Sequence, residues 1–330
     1  MWKLNEPNDE QLNNYCSLLE TSLKKRLEVN VTDIHIKALL INEIHDLLIK
    51  KPEELFSLNN QIMRKIIPSY NFHELSEFLK VKNKKEDNLQ PYELTLKNKY
   101  KDILSNLLNW MGYQQLIVAK KDVSYQITAM KGRNTCTYCN RQYTQTVIEE
   151  DSLTGERAQV VRPQLDHWFS KELFPLLSLS FYNLIPSCSI CNSSSKGNTI
   201  FELGKHIHPY LDDGRDFTFH AIHTGAQGWQ LNIVRPIGGI EDNTIKAFHL
   251  DEIYAIHSQL EVKDIMEFAE ANNTEYLKDL YKNVLHDLTP EKSPQEVYRL
   301  LFGTEWDESK HLDRPLSKLK RDILKQVGIE

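Results

Sequence analysis

The sequence predicts an α+β fold in which a small zinc-stabilised core lies between helical N- and C-terminal regions. Three observations predict it. Apolar residues recur at helical spacing over the first hundred or so residues and again from about Asp242 onward. Between these stretches the pattern changes to short β-type runs, turns and cysteines. Two Cys-x-x-Cys pairs, Cys136/Cys139 and Cys188/Cys191, enclose Leu165-Asp166-His167 and supply the four thiolates that a tetrahedral zinc ion takes. The expected division is a helical region over 1–120, the zinc-bearing core over 121–240 and a second helical region over 241–330.

Thr32 is the expected N-cap of a helix carrying Ile34, Leu39, Leu40, Ile41, Ile44, Leu47 and Leu48. A second helix follows Pro52 and ends by Pro68, and a short third one covers Asn71 to Leu79. Val81 to Asn88 lacks apolar periodicity and reads as an exposed charged loop, with phosphate contact as the less favoured use of its lysines. Another helix runs from Tyr92 to about Lys120. In the core, Val160, Val161 and Leu165 suggest a strand running into Asp166-His167, and Asn183 to Pro186 a second strand entering Cys188. Ser193 to Gly197 are poor helix formers, so a helix starting there is short or held by the metal knuckle. Gln230 to Val234 alternates as a strand. The C-terminal helices carry Ile253, Ile256, Leu260, Ile265, Phe268 and Ala269 on one face, and Leu316, Leu319, Ile323, Leu324 and Val327 on the last.

A chain of 330 residues can bury one substantial core with an added helical lobe. Residues 1–14 show no basic start followed by an apolar run, and no stretch approaches the roughly 20 apolar residues of a membrane span. A cytoplasmic protein with no membrane partner is therefore expected. In that reducing compartment the paired cysteines suit metal better than disulfides, with a redox-active pair as the competing reading. Cys16 reads as a buried thiol without a function. The net charge of -6 disfavours unaided binding of a polyanion, so a nucleic-acid target requires local basic clusters or a partner.

Leu165 to Phe169, then Phe181 to Pro186, then Cys188-Ser189-Ile190-Cys191-Asn192 with Lys196 resemble the motif of HNH endonucleases. The resemblance covers residues 136–198 and implies the ββα-metal, treble-clef-like fold with two zinc knuckles. Lys246 to Tyr254 and Arg314 to Leu319 are similar to strings in bacterial HNH proteins of phage-defence systems, in which an ATPase is a partner. The resemblance implies that Asp166 and Asn192 hold a catalytic ion, that His167 activates water, and that Asn183 holds the hairpin and orients the histidine. Asn192 stands where many members have histidine, a variant also found in active relatives such as a phage junction-resolving endonuclease. DNA cleavage leaving a 5′-phosphate and a 3′-hydroxyl is the implied reaction.

Phosphodiester hydrolysis needs an activated water, a cation over the developing charge and stabilisation of the leaving oxygen. His167 suits the general base because an unperturbed imidazole titrates near neutrality. Asp166 and Asn192 offer hard oxygen donors, which favour Mg²⁺ or Mn²⁺. Lys196 and Arg141 are candidate phosphate contacts. Asn198 is a weaker candidate for the ion, and His206 and His208 are expected to alternate on one strand face without a ligand role. Trp168, Phe169, Phe174, Phe181 and Tyr182 read as packing around the motif rather than as a base-stacking platform. A ribonuclease using the same site and a non-catalytic zinc module that binds nucleic acid or protein remain the alternative readings.

Overall fold

Asn8 opens the first helix, α1 (Asp9–Asn30), with a capping box closed by Gln11. Tyr15, Cys16, Leu19, Leu23 and Leu27 recur every three or four residues and form its buried stripe. The structure, a computed structural model, describes residues 2–67, 69–150, 155, 157–197, 199–272, 276 and 293–329. Within these residues the fold is mixed α+β. The stretch expected as one helix after Thr32 is two: α2 (Ile34–Asn42) and α3 (Ile44–Ile49), interrupted at Glu43. Its cap is Asp33, not Thr32, because the Asp33 carboxylate accepts from the His35 and Ile36 N–H groups. Next come α4 (Pro52–Ile66), α5 (Phe72–Val81) and α6 (Pro91–Met111). Gly112 stops α6 in the left-handed conformation, well before Lys120, and a π turn then leads into α7 (Lys121–Lys131).

Among the described residues six strands pair as three separate antiparallel hairpins. β1 (Val147–Glu150) pairs with β2 (Arg157–Val161). β3 (Gln164–His167) pairs with β4 (Leu184–Ser187) in a register that sets Asp166 opposite Ile185 and His167 opposite Leu184. Val160 and Val161 thus belong to a different sheet from Asp166 and His167, since Pro163 cannot donate to a continuous ladder. β5 (Thr218–His223) pairs with β6 (Trp229–Val234). The C-terminal part contributes α8 (Ile240–Ala247), α9 (Leu250–Ala255), α10 (Glu261–Ala271), α11 (Pro294–Phe302) and α12 (Ser317–Gln326). Asp322 and Gln326 on α12 accept the Phe219 and Ala221 N–H groups, which covers the free edge of β5.

One continuous core runs from Trp2 to Ile323, with the β3–β4 hairpin and the loop joining its strands in the middle. Trp168, Phe169, Phe174, Phe181 and Tyr182 are all buried there, as packing residues. Phe56 of α4 stacks on Phe169 at 5.8 Å, and Phe72 of α5 on Phe174 at the same centroid distance. Tyr15 of α1 donates its hydroxyl to the Leu179 carbonyl at 2.6 Å. These contacts fix the loop between β3 and β4 from the N-terminal side. From the other side, the Trp2 indole donates to the Tyr138 carbonyl at 2.6 Å and Phe248 stacks on the Tyr138 ring at 4.2 Å. His206 and His208 lie in turns instead of a strand. Among the described residues no helix is long and apolar enough to cross a membrane.

Candidate functional site

The four paired cysteines meet at one buried point, with their sulfur atoms within 4.8 Å of one another. Four thiolates about 2.3 Å from a tetrahedral zinc stand about 3.8 Å apart, and Cys139 and Cys188 are 3.9 Å apart. The donor set fits a metal such as zinc, and its local backbone is built for it. Asn140 takes a left-handed conformation (φ 50°) that turns the first knuckle, and its side-chain amide is held by Thr135, His311 and Arg314. The Cys188 N–H donates to Cys136 Sγ at 3.2 Å, and hydrogen bonds from the neighbouring thiols hold Cys188 well below the ordinary thiol range. The Thr137 N–H donates to the Pro186 carbonyl of β4, so the first knuckle is docked on the hairpin that carries His167. A four-coordinate ion held by all four thiolates would keep no open position for a substrate.

A cleft of about 360 Å³ opens beside the knuckle, lined among others by Tyr113, Asp166, His167, Lys171, Asn192 and Lys196. Three of the expected catalytic residues, Asp166, His167 and Asn192, therefore face one space. Asp166 is buried, and its Oδ2 accepts from the Tyr138 hydroxyl at 2.7 Å and from Lys196 Nζ at 2.8 Å. Both of these hydrogen bonds go to the same carboxylate oxygen, Oδ2. The Asn192 amide NH₂ donates to Gln164 at 2.7 Å, which turns its carbonyl oxygen into the atom available to a ligand. Asn192 sits on a π turn (Ile190–Ser195) and not on an extended helix, in keeping with the serines that follow it.

His167 is set by two contacts. Its Nε2 lies 3.0 Å from the Ser178 carbonyl, which can only accept, so Nε2 carries the proton. The Tyr113 ring packs edge-on against the imidazole at 4.4 Å. Burial, reinforced by the charge on Lys171, pushes the His167 pKa down to about 3. The ring is then neutral at physiological pH, and Nδ1 is its free acceptor.

Asn183 is fully buried and does not touch the imidazole. Its Oδ1 accepts from the Phe169 N–H at 2.6 Å, and its amide donates to the Phe169 and Leu177 carbonyls. It ties the two ends of the loop together, while the Ser178 carbonyl orients the histidine. Lys196 points inward: its ammonium meets Asp166, the His167 carbonyl at 2.5 Å and the Trp168 carbonyl at 3.4 Å. With three donors spent inside the protein, the phosphate contact expected of Lys196 is not how the side chain is placed. Arg141 lies away from the cleft lining, where its Nε donates to His257 Nε2 at 2.8 Å, and His257 in turn bonds Glu261. Asn198 lies outside the described residues.

Lys171 was not legible as a site residue. It lines the cleft with its ammonium 5.4 Å from the Tyr113 ring centroid, and burial lowers its pKa. Among the described residues it makes no ion pair. Tyr138, one position before Cys139, did carry a signal, since the knuckle places it beside whatever the ion pins. The Ser178 carbonyl carried none, because a backbone acceptor has no residue type.

No family model, curated protein or solved structure matches the chain.

Proposed function

We propose that this chain is a metal-dependent endonuclease of the HNH type, hydrolysing DNA phosphodiesters from a zinc-held ββα-metal motif. The observation that carries the reading is the placement of His167, which lines the cleft shared with Asp166 and Asn192 while its Nε2–H is engaged by the Ser178 carbonyl, leaving Nδ1 as the ring's acceptor. That arrangement presents Nδ1 to take a proton from water, but a pKa of about 3 lies well below the near-neutral value expected from the sequence and makes the resting imidazole a weak base, so the imidazolium that results has to be stabilised by the Ser178 hydrogen bond and by the negative charge developing in the reaction. Mg²⁺ or Mn²⁺ held by oxygens of Asp166 and Asn192 would supply the charge that offsets the developing phosphorane and leaving oxygen. Lys196 and Tyr138 fix the direction of the Asp166 carboxylate. Lys171, which lines the cleft and makes no ion pair among the described residues, is the cation best placed for a non-bridging phosphate oxygen.

The net charge of -6 gives the protein little long-range attraction for DNA, so the reading includes a partner, such as the ATPase of a phage-defence system, that delivers the substrate. Labelled DNA and RNA incubated with the zinc-loaded protein and Mg²⁺ or Mn²⁺ test the substrate class. Ion-dependent cutting of DNA is expected. Cutting of RNA alone transfers the same chemistry to a ribonuclease, and cutting of neither, with or without a candidate partner, leaves the zinc module as a binding scaffold.

A further inference from the structure

Away from the cleft and the knuckle, α1 and α3 bring a second set of metal-binding donors together. Cys16 and Glu20 are one helical turn apart on α1, and His45 faces them from α3, with all three ligand atoms within 4.8 Å of one another. His45 Nδ1 is 3.7 Å from Cys16 Sγ and 3.7 Å from Glu20 Oε2. An N–H···O hydrogen bond to Glu20 would close to about 2.9 Å, so the histidine is not held by one. Donors on a shared tetrahedral ion, with bonds of about 2.3 Å to sulfur and about 2.0–2.1 Å to nitrogen or oxygen, stand roughly 3.4–3.6 Å apart. The two distances from His45 are within a few tenths of an ångström of that spacing, and the Cys16 and Glu20 ligand atoms lie within 4.8 Å of each other.

We propose that Cys16, Glu20 and His45 form a second metal site, a three-ligand site for Zn²⁺ or a similarly thiophilic divalent transition metal. The thiolate selects against Mg²⁺ and Ca²⁺, and the imidazole suits zinc, cobalt and nickel. Burial grades across the set: Cys16 is buried, while Glu20 and His45 have side chains 46% and 53% exposed. The ion therefore enters from solvent, meets the carboxylate and imidazole first, and displaces the Cys16 thiol proton as it seats. The fourth position faces solvent and takes water or an exogenous donor. Bound there, the ion cross-links α1 to α3 through side chains that otherwise make no strong bond across the helix pair. The site shares no residue with the cleft, so it does not depend on the nuclease reading.

The test is zinc content of the full-length protein after equilibration with micromolar Zn²⁺ and removal of free ion. Two equivalents are expected for the wild type, and one for Cys16→Ala and for His45→Ala, the latter at a half-exposed position where folding is not at risk. Replacing the ion with Co²⁺ should give a thiolate-to-cobalt absorption band that loses only the Cys16 contribution in Cys16→Ala. With the four-cysteine centre already loaded, further Zn²⁺ should raise the thermal midpoint of the wild type and not that of His45→Ala. A single equivalent in the wild type, or two equivalents in all three proteins, overturns the proposal.

Discussion

Replacing Lys196 by alanine separates the inward-facing ion pair from the phosphate contact that the motif suggests. The Lys196 and Asp166 side chains are only 7% and 6% exposed, so water screens their pairing weakly. Removing one partner of such a pair costs about 3–5 kcal/mol, because the buried Asp166 carboxyl is left with only the Tyr138 hydroxyl bonded to it. The His167 carbonyl also loses its partner at 2.5 Å, although water entering from the cleft recovers part of that loss. With an unfolding entropy of about 2.1 cal/mol/K per residue, 330 residues unfolding together give about 0.7 kcal/mol/K. The midpoint of thermal unfolding should then fall by about 4–7 °C. Scanning calorimetry on Lys196→Ala, Asp166→Asn and the double variant measures it. The double variant should lose less than the sum of the singles, since each removes the same pairing. An unchanged midpoint together with weaker, less salt-dependent DNA binding would refute the inward placement and restore the phosphate contact.

Three further outcomes follow from the same geometry. Burial pushes the His208 pKa down to about 3, so between about pH 6.5 and 3 the unfolded chain takes up the proton and the folded chain does not. Stability should fall with falling pH by about 1.4 kcal/mol per unit from this group, and His208→Asn should flatten that slope in urea titrations; an identical slope would contradict it. Cys188→Ser, or a strong zinc chelator, should abolish the near-ultraviolet circular dichroism of the core, since structural zinc contributes about 10–16 kcal/mol of apparent binding energy to such sites; a native spectrum after proven loss of zinc would show the knuckle to be dispensable. Gly112 holds φ at 68°, and an added Cβ would lie 2.3 Å from Arg26 Nε, whose guanidinium caps the Asn109 and Trp110 carbonyls. Gly112→Ala should cost about 1–2 kcal/mol from backbone conformation alone and more from the displaced arginine, read as a lower urea midpoint.

Much of the framework was legible because it rests on local rules. Cys-x-x-Cys spacing brought four thiols together. Alternation placed β6, and Pro52 opened α4 where a fixed φ and a missing N–H do no harm. The misses have physical causes. Asp33 won the cap from Thr32 because its carboxylate reaches two N–H groups at once. Ile256, Leu260 and Phe268, expected on one buried face, are 60%, 50% and 40% exposed because the chain breaks into a short 3₁₀ turn between α9 and α10 and the helical phase is lost. In the site, residue types announced Asp166, His167 and Asn192, but not the tertiary arrangement that turns Lys196 inward, commits Arg141 to His257 and leaves Lys171 in the cleft. Those depend on where the loop between β3 and β4 folds, which is decided by aromatic packing from distant helices.

The central claim is that His167 acts as the base in a cleft that takes a divalent cation. Its most direct test is nicking of supercoiled plasmid by the wild type and by His167→Ala, both shown to be folded and zinc-loaded, with Mg²⁺ or Mn²⁺ and with a chelator that leaves the structural zinc in place. The account predicts ion-dependent nicking that drops by about 10²–10⁴-fold when the imidazole is removed. Equal nicking by the two proteins, or nicking that persists without the divalent cation, would contradict it.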